Sequence, residues 1–238
     1  MAKHNEILNP FRVLEIRPLT HDTSQFSFAI PDNIAFEFLP GDHMKIYPDP
    51  EDHIEWRPYT PVNKPDSKKK FDLIIKHYAD GMVSKYVHQR KTGDIVWMSG
   101  PHEGGHYFRG MANSIGMLAG GTGITPMISI IRTILSDEVN LSLSLIFANK
   151  TLDDIILKDE FDSYAEKFEN FKRYYVLEKP PDNWQMGTGR INDDLLKSQM
   201  FPPGDDTVAF VCGPPMMQIE LRKKLIGMGY SSEKVIFP

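Results

Sequence analysis

An antiparallel, Greek-key-like β-barrel followed by an α/β domain built on a parallel sheet is the fold class this sequence predicts. Three observations carry that expectation. Residues 1–110 contain short alternating apolar segments separated by turn signals. From residue 111 onward, buried-strand runs alternate with segments of helical spacing, as a parallel sheet with crossovers requires. At the first strand-to-helix junction of that second half stands a glycine-rich turn, Gly120-Gly121-Thr122-Gly123.

In the first half, Phe26, Phe28 and Ile30 alternate as in a half-buried strand. Residues 11–16 and 71–75 are further strand candidates, and Pro40-Gly41-Asp42 and Pro48-Asp49-Pro50 read as turns. A helix is expected from Val83 to Arg90, a closing strand from Asp94 to Met98, and a solvated hairpin loop at Lys68-Lys69-Lys70. The division between the two domains is expected at 110/111, within the stretch from Arg109 to Asn113.

In the second half, Ile115–Ala119 is a short apolar strand feeding the glycine-rich turn. Thr125-Pro126 then opens a helix to Leu135, with proline in the tolerated first turn. Strands are expected over 141–148, 173–177 and 207–212. Helices are expected over 153–168 and 215–228, and a last strand over 235–237.

The 238 residues are 41% hydrophobic and 25% charged, ordinary values for a globular chain with a real core. A formal net charge of −5 argues against a nucleic-acid binder. The lone cysteine, Cys212, permits neither an internal disulfide nor an iron–sulfur cluster, and the histidines show no metal-ligand spacing, so no metal is expected. Met1–Pro10 lacks an apolar run, and no stretch approaches the about 18 apolar residues of a spanning helix. A cytoplasmic protein without a membrane anchor is expected.

Three motifs carry chemistry. Backbone at Gly120-Gly121-Thr122-Gly123 can approach a pyrophosphate without Cβ atoms in the way, and the following helix points free N–H groups at the anion. Pro126 stands where a full G-x-G-x-x-G would place its third glycine, and a bare strand-to-helix turn explains the segment equally well. In Arg57-Pro58-Tyr59-Thr60-Pro61 the arginine offers a fork of donors for a phosphate, the tyrosine a ring face and the threonine a hydroxyl. On a strand, Arg57 and Tyr59 share one face. Taken alone, an edge strand with an exposed arginine explains the same pentapeptide. The third motif is Cys212-Gly213-Pro214-Pro215-Met216-Met217, whose cysteine reads equally as a small buried hydrophobe.

The order of these motifs resembles the NADH–cytochrome b5 reductase family, within the ferredoxin-reductase-like flavoproteins. Further segments carry the resemblance: residues 11–14 with 19–23, Pro40-Gly41-Asp42-His43, Ile75-Lys76-His77-Tyr78, Gly81-Met82-Val83-Ser84 and Phe147-Ala148-Asn149-Lys150-Thr151. The resemblance implies that residues 1–110 bind FAD, that 111–238 bind NADH, and that electrons pass on singly to a haem protein such as cytochrome b5. It implies that Arg57 binds the FAD pyrophosphate, that Pro58 and Tyr59 contact the flavin, and that Thr60 hydrogen-bonds its ring. Ile75 and Tyr78 would line the flavin or ribityl region, Lys76 would lie near NADH, and Gly81, Met82, Val83 and Ser84 would contact phosphates. In the second half it points to Gly121, Thr122, Gly123 and Thr125, and to Cys212, Gly213, Pro214 and Met216 around the nicotinamide nucleotide. Thr60 and Cys212 fall at the reaction centre.

Glu178 follows a strand where the family typically carries aspartate. Its carboxylate would accept from ribose hydroxyls and disfavour the extra phosphate of NADPH; a solvated surface glutamate is the alternative. Phe237 either approaches the flavin or caps the last strand. Met82 stands where the family often has a lysine, leaving Lys45, Lys68, Lys69, Lys70 and Lys85 as cations for docking an acidic cytochrome. The expected protein is a monomer. Rival readings are the reductase module of another system, such as a nitrate reductase, and a flavin- or nucleotide-binding protein without turnover.

Overall fold

A computed structural model describes residues 6–51, 55–65, 69–137 and 141–238. In its first half, β1 (Asn9–Pro18) and β2 (Thr23–Ala29) form a hairpin, and β3 (His43–Tyr47) pairs with β4 (Arg57–Tyr59). β5 (Lys70–Lys76) lies against β2, and β6 (Ile95–His102) returns to sit between β3 and β1. All the pairings are antiparallel, and a bridge from Pro61 to Leu73 brings the β4 end round to β5. The antiparallel barrel expected from the sequence is therefore present.

Alternation builds its core. Phe11, Phe28, Phe71, Leu73, Ile75, Val96 and Met98 are fully buried. The Phe71 ring meets Phe11 edge-on at 5.2 Å and lies nearly parallel to Phe28 at 5.5 Å. Helix α1 (Met82–His88) closes one end by inserting Val83 and Val87 into this core.

The second half forms a six-stranded parallel sheet in the order β10-β9-β8-β7-β11-β12. Its strands are β7 (Ser114–Gly120), β8 (Ser142–Asn149), β9 (Phe171–Leu177), β10 (Gly187–Thr188), β11 (Thr207–Cys212) and β12 (Val235–Ile236). The helices are α2 (Ile124–Ser136), α3 (Lys158–Lys167), α4 (Asp193–Gln199) and α5 (Pro215–Gly227). The strands read as near-continuous apolar runs because both faces are covered. Ile115, Met117 and Ala119 of β7 pack with α2, and Leu118 packs with Leu196, Leu221 and Leu225 from α4 and α5.

Three expectations need correction. The helix expected over 153–168 is split: a 3-10 turn at Leu152–Asp154 is followed by α3, with Leu157 in the left-handed region at φ 56°. Thr151 and Asp154 form a reciprocal capping box that caps the start of the turn. The chain leaves the helical region at Ile155, which is extended at φ −73° and ψ 99°, and Ile155 and Ile156 are both buried, at 5% and 1% exposure. Lys70 begins β5 rather than lying in a hairpin loop, and Lys68 falls outside the described residues. Phe237 lies beyond β12, which ends at Ile236.

The domains meet along α2. Val62 and Ile74 from the barrel join the core cluster of α2 and the sheet. The Arg132 guanidinium donates to the Val62 carbonyl at 2.6 Å and pairs with both oxygens of Glu160, at 2.7 and 2.8 Å. Lys76 of the barrel donates to Asp154 at 3.1 Å. The cleft described below is held open between two bodies joined by packing and by charge.

Candidate functional site

In a parallel sheet of this order, successive strands leave β7 on one side toward β10 and then return to its other side at β11. Ligands in such sheets bind at this reversal, beyond the carboxyl ends of the strands. Cys212 and Ala119 are register partners, so the segments following β11 and β7 lie side by side. The packing fixes the residue types. A Cβ added to Gly123 would sit 2.2 Å from the Cys212 carbonyl oxygen, and Gly121 has φ 53°. Neither the 3-10 turn at Gly121–Gly123, which runs directly into α2, nor α5 has a side-chain N-cap, so the N–H groups of the glycine turn and of the start of α5 beyond Pro215 have no side-chain acceptor and can receive an anion.

A cleft of about 1160 Å³ runs from this crevice to the barrel. The barrel contributes Pro58, Tyr59, Thr60, Lys76 and Tyr78 to its wall; the sheet contributes Gly121, Thr122, Gly123, Thr125, Glu178, Cys212, Gly213, Pro214 and Met216. β4 is an edge strand, which is why it tolerates Pro58. Burial raises the Tyr59 phenol to about 12, so it stays protonated. The Thr60 hydroxyl has no hydrogen-bond partner among the described residues. Across the cleft, the Tyr78 hydroxyl lies 3.2 Å from Thr122 Oγ1. Thr125 Oγ1 donates to the Thr122 carbonyl at 3.1 Å and shapes the turn from within.

Several expected residues stand elsewhere. Arg57 is outside the cleft lining; its side chain is 63% exposed, donates to the Trp56 carbonyl at 2.7 Å and lies 3.6 Å from Glu55. Ile75 points into the barrel core, and strand alternation gives its place on the wall to Ile74. Val83 is likewise a core residue, and Met82 is 58% exposed. The Ser84 hydroxyl is buried and spent locally, donating to the Gly81 carbonyl and accepting from the Tyr78 N–H, each at 3.2 Å. Lys45 is not a free docking cation: its ammonium pairs with Glu6 at 2.5 Å and sits 4.6 Å above the Trp56 ring.

Two side chains at the centre have shifted pKa values with plain causes. Burial pushes the Cys212 thiol up to about 11, so at neutral pH it is a thiol and not a thiolate. Burial alone would lower the Lys76 ammonium, but hydrogen bonds to Asp22 and Asp154 outweigh it and hold its pKa above the usual lysine range. Ligand atoms of His21, Asp22 and Asp154 lie within 4.8 Å of one another. The Lys76 ammonium already occupies the two carboxylates, at 2.9 and 3.1 Å, and supplies the cation there.

Sequence reasoning passed over several wall residues. The Asn149 side chain is buried at 7% exposure, and neither its nitrogen nor its oxygen has a partner. It lines the cleft, as do His43, Trp56, Glu103, Lys150, Arg190 and Pro238. The one signal for Asn149 was its place in Phe147-Ala148-Asn149-Lys150-Thr151. The orphaned amide, the glycine turn that a Cβ would fill and the two uncapped helix starts fit a bound dinucleotide. The aromatic and hydroxyl wall opposite them fits a flavin.

The comparisons agree with this geometry. Residues 10–107 match the family model of the oxidoreductase FAD-binding domain, and residues 117–223 match that of the oxidoreductase NAD-binding domain. The chain is 38% identical over 227 residues to NADH-cytochrome b5 reductase 1 of Dictyostelium discoideum, covering 94% of this chain and 79% of that protein. It is 36% identical over 242 residues to NADH-cytochrome b5 reductase 1 of Debaryomyces hansenii, covering 98% and 85%. Among solved structures it resembles the cytochrome b5 reductase domain of Ulva prolifera nitrate reductase. That match has a TM-score of 0.88 at 27% identity and covers 98% of this chain and 97% of that one. The CS-b5R domains of human Ncb5or share the fold, with a TM-score of 0.86 at 24% identity, covering 98% of this chain and 70% of that one.

Proposed function

We infer function from a plain premise: the chain belongs to the NADH–cytochrome b5 reductase family of FAD- and NAD-binding oxidoreductases. It is an NADH-dependent, FAD-containing reductase. When bound, the two cofactors supply the redox chemistry: NADH gives a hydride to the flavin, and the reduced flavin releases electrons singly. The chain's own residues bind and orient the two rings and limit water. One observation carries this reading: a single cleft joins Pro58-Tyr59-Thr60 on the barrel to Gly121–Gly123 and Cys212–Pro214 on the sheet.

We propose that residues 1–110 hold FAD and 111–238 hold NADH. Tyr59 packs on the flavin, and Thr60 donates its unpartnered hydroxyl to the flavin ring. Arg57 swings from its exposed position to the FAD pyrophosphate. Gly81, Met82, Val83 and Ser84 contribute backbone contacts, because the Val83 and Ser84 side chains are engaged inside the barrel. The backbone beside Ile75 and the Tyr78 ring border the ribityl region. Gly121, Thr122, Gly123, Thr125, Gly213, Pro214 and Met216 seat the nicotinamide nucleotide, with Lys76 and Cys212 near the nicotinamide.

The acceptor is a cytochrome b5-like haem protein, as the names of the 33–38% identical relatives suggest. We place the protein in the cytoplasm as a monomer that meets its acceptor by peripheral contact. No helix among the described residues is long and apolar enough to cross a membrane. The test is stopped-flow bleaching of the yellow protein by NADH, followed by reoxidation with soluble cytochrome b5 and with ferricyanide. Bleaching with ferricyanide turnover but no cytochrome reduction would overturn the acceptor. No bleaching would overturn the reductase.

Glu178 tests nucleotide choice. It is exposed, lines the cleft, and directly follows β9. Glu178→Thr is expected to raise the NADPH-to-NADH ratio of kcat/KM by roughly three- to tenfold, chiefly by improving NADPH. An unchanged ratio would make Glu178 a surface carboxylate.

A further inference from the structure

Beside Glu178 the cleft carries two cationic side chains, Lys150 and Arg190. Asn149 and Leu177 are register partners in β8 and β9, and Leu177 and Thr188 are partners in β9 and β10. Lys150, Glu178 and the Gly189-Arg190 step therefore leave three neighbouring parallel strands at one level. Backbone bonds fix that level: the Lys179 N–H donates to the Lys150 carbonyl at 2.8 Å, and the Gly189 N–H donates to the Leu177 carbonyl at 2.8 Å. Lys150, Glu178 and Arg190 all line the cleft, and all are exposed. None of the three side chains takes part in an ion pair among the described residues. Asn149, which ends β8 just before Lys150 and lines the same cleft, carries a buried, unpartnered amide that marks this strand end as a place where a polar ligand is received.

We propose that Lys150 and Arg190 form a phosphate subsite for the 2′-phosphate of an adenosine ribose, so that the chain accepts NADPH as well as NADH. The proposal deepens the nucleotide-oxidising reading of this cleft and rests on it. A lone carboxylate here would repel a 2′-phosphate. It does not stand alone, because a guanidinium and an ammonium flank it from the adjoining strands, with the exposed Lys179 next in sequence. Arginine presents a fork that grips a phosphate with two hydrogen bonds, and lysine adds a mobile point charge. The remaining carboxylates on the sheet side of the cleft are committed or offset: Asp154 is bound to Lys76 at 3.1 Å, and Glu220 lies 3.9 Å from Lys224. Glu178 then accepts from a ribose hydroxyl in either nucleotide, while Lys150 and Arg190 add the charge that the extra phosphate needs.

The test uses the FAD-loaded protein and two probes that need no turnover, 2′,5′-ADP and 5′-AMP, titrated calorimetrically at low salt. The wild type is expected to bind 2′,5′-ADP at least about tenfold more tightly, the scale of one charge-assisted contact. That advantage should shrink with added salt and collapse to within about twofold in the Lys150→Ala/Arg190→Ala double variant. Arg190→Glu should reverse it. In steady state, the NADPH-to-NADH ratio of kcat/KM should fall about tenfold in the double variant; using a ratio removes any shared loss at the pyrophosphate. Equal affinity of the wild type for the two probes overturns the subsite, as does an advantage that survives the double substitution. A clear 2′,5′-ADP preference in a protein whose flavin NADH cannot bleach would support the subsite and overturn the reductase reading instead.

Discussion

Arg57→Ala is expected to weaken FAD binding by about ten- to a hundredfold, the consequence of losing a charge-assisted hydrogen bond of about 1.5–3 kcal/mol. The structure sharpens the reason. The guanidinium is 63% exposed and has no bidentate partner; its contacts are the Trp56 carbonyl at 2.7 Å and Glu55 at 3.6 Å. An exposed ion pair at that distance contributes little to stability. Removing the side chain should therefore leave the barrel intact, since β4 is held by its pairing with β3, where Ile46 faces Arg57 and Met44 faces Tyr59. The measurement is titration of apoprotein with FAD. The wild type should stay yellow on dilution and the variant should pale, with circular dichroism unchanged. Arg57→Lys should recover only part of the loss, because an ammonium cannot grip a pyrophosphate with a planar fork. Equal dissociation constants for wild type and Arg57→Ala would remove Arg57 from the FAD site.

Much of the architecture was legible because two periodicities announce it. Phe26 and Phe28 alternate in a barrel strand, and Ile115 to Ala119 runs apolar without a break because helices cover both faces of that sheet. Short elements escaped. β10 has two residues, too few for any pattern to register. α4 is N-capped by Asn192, whose side-chain oxygen accepts from the Leu195 N–H at 2.8 Å, a short signal without an apolar run behind it. The glycine-rich turn and the Cys212 motif could be read as separate pieces. Their adjacency could not, because it comes from the β7–β11 register, a contact between segments about ninety residues apart. Side-chain direction was the weakest inference. Ile75 and Val83 match a motif, yet strand and helix phase turn both into the barrel, and only Ile74 reaches the wall. Lys150 lies in the Phe147–Thr151 segment that carries the resemblance, but Arg190 stands in no motif. They become neighbours of Glu178 only through three-strand pairing.

Cys212→Ala is expected to slow single-turnover bleaching of the flavin by NADH on the order of a hundredfold, while FAD content and fold stay the same. The side chain ends β11 on the cleft wall, and its sulfur lies 4.0 Å from the Pro238 carbonyl oxygen. Its backbone is pinned from the other side, against Gly123, at a separation that no Cβ could enter. The main chain therefore keeps its path when the sulfur is removed, and what changes is the shape of the surface on which the nicotinamide rests. Misplacement by about an ångström is enough for a hundredfold loss without any missing acid, base or nucleophile. Burial argues against a nucleophilic role: with the thiol pushed up to about 11, almost no thiolate exists at neutral pH. Alkylation of the wild type should accordingly be slow below about pH 9, and NADH should slow it further by covering the sulfur. Cys212→Ser, close to cysteine in size, should recover a large part of the rate. An unchanged bleaching rate in Cys212→Ala would make the position purely structural. Rapid alkylation that abolishes activity, with no protection by NADH and no recovery in Cys212→Ser, would show that the sulfur does chemistry and that shape alone does not explain it.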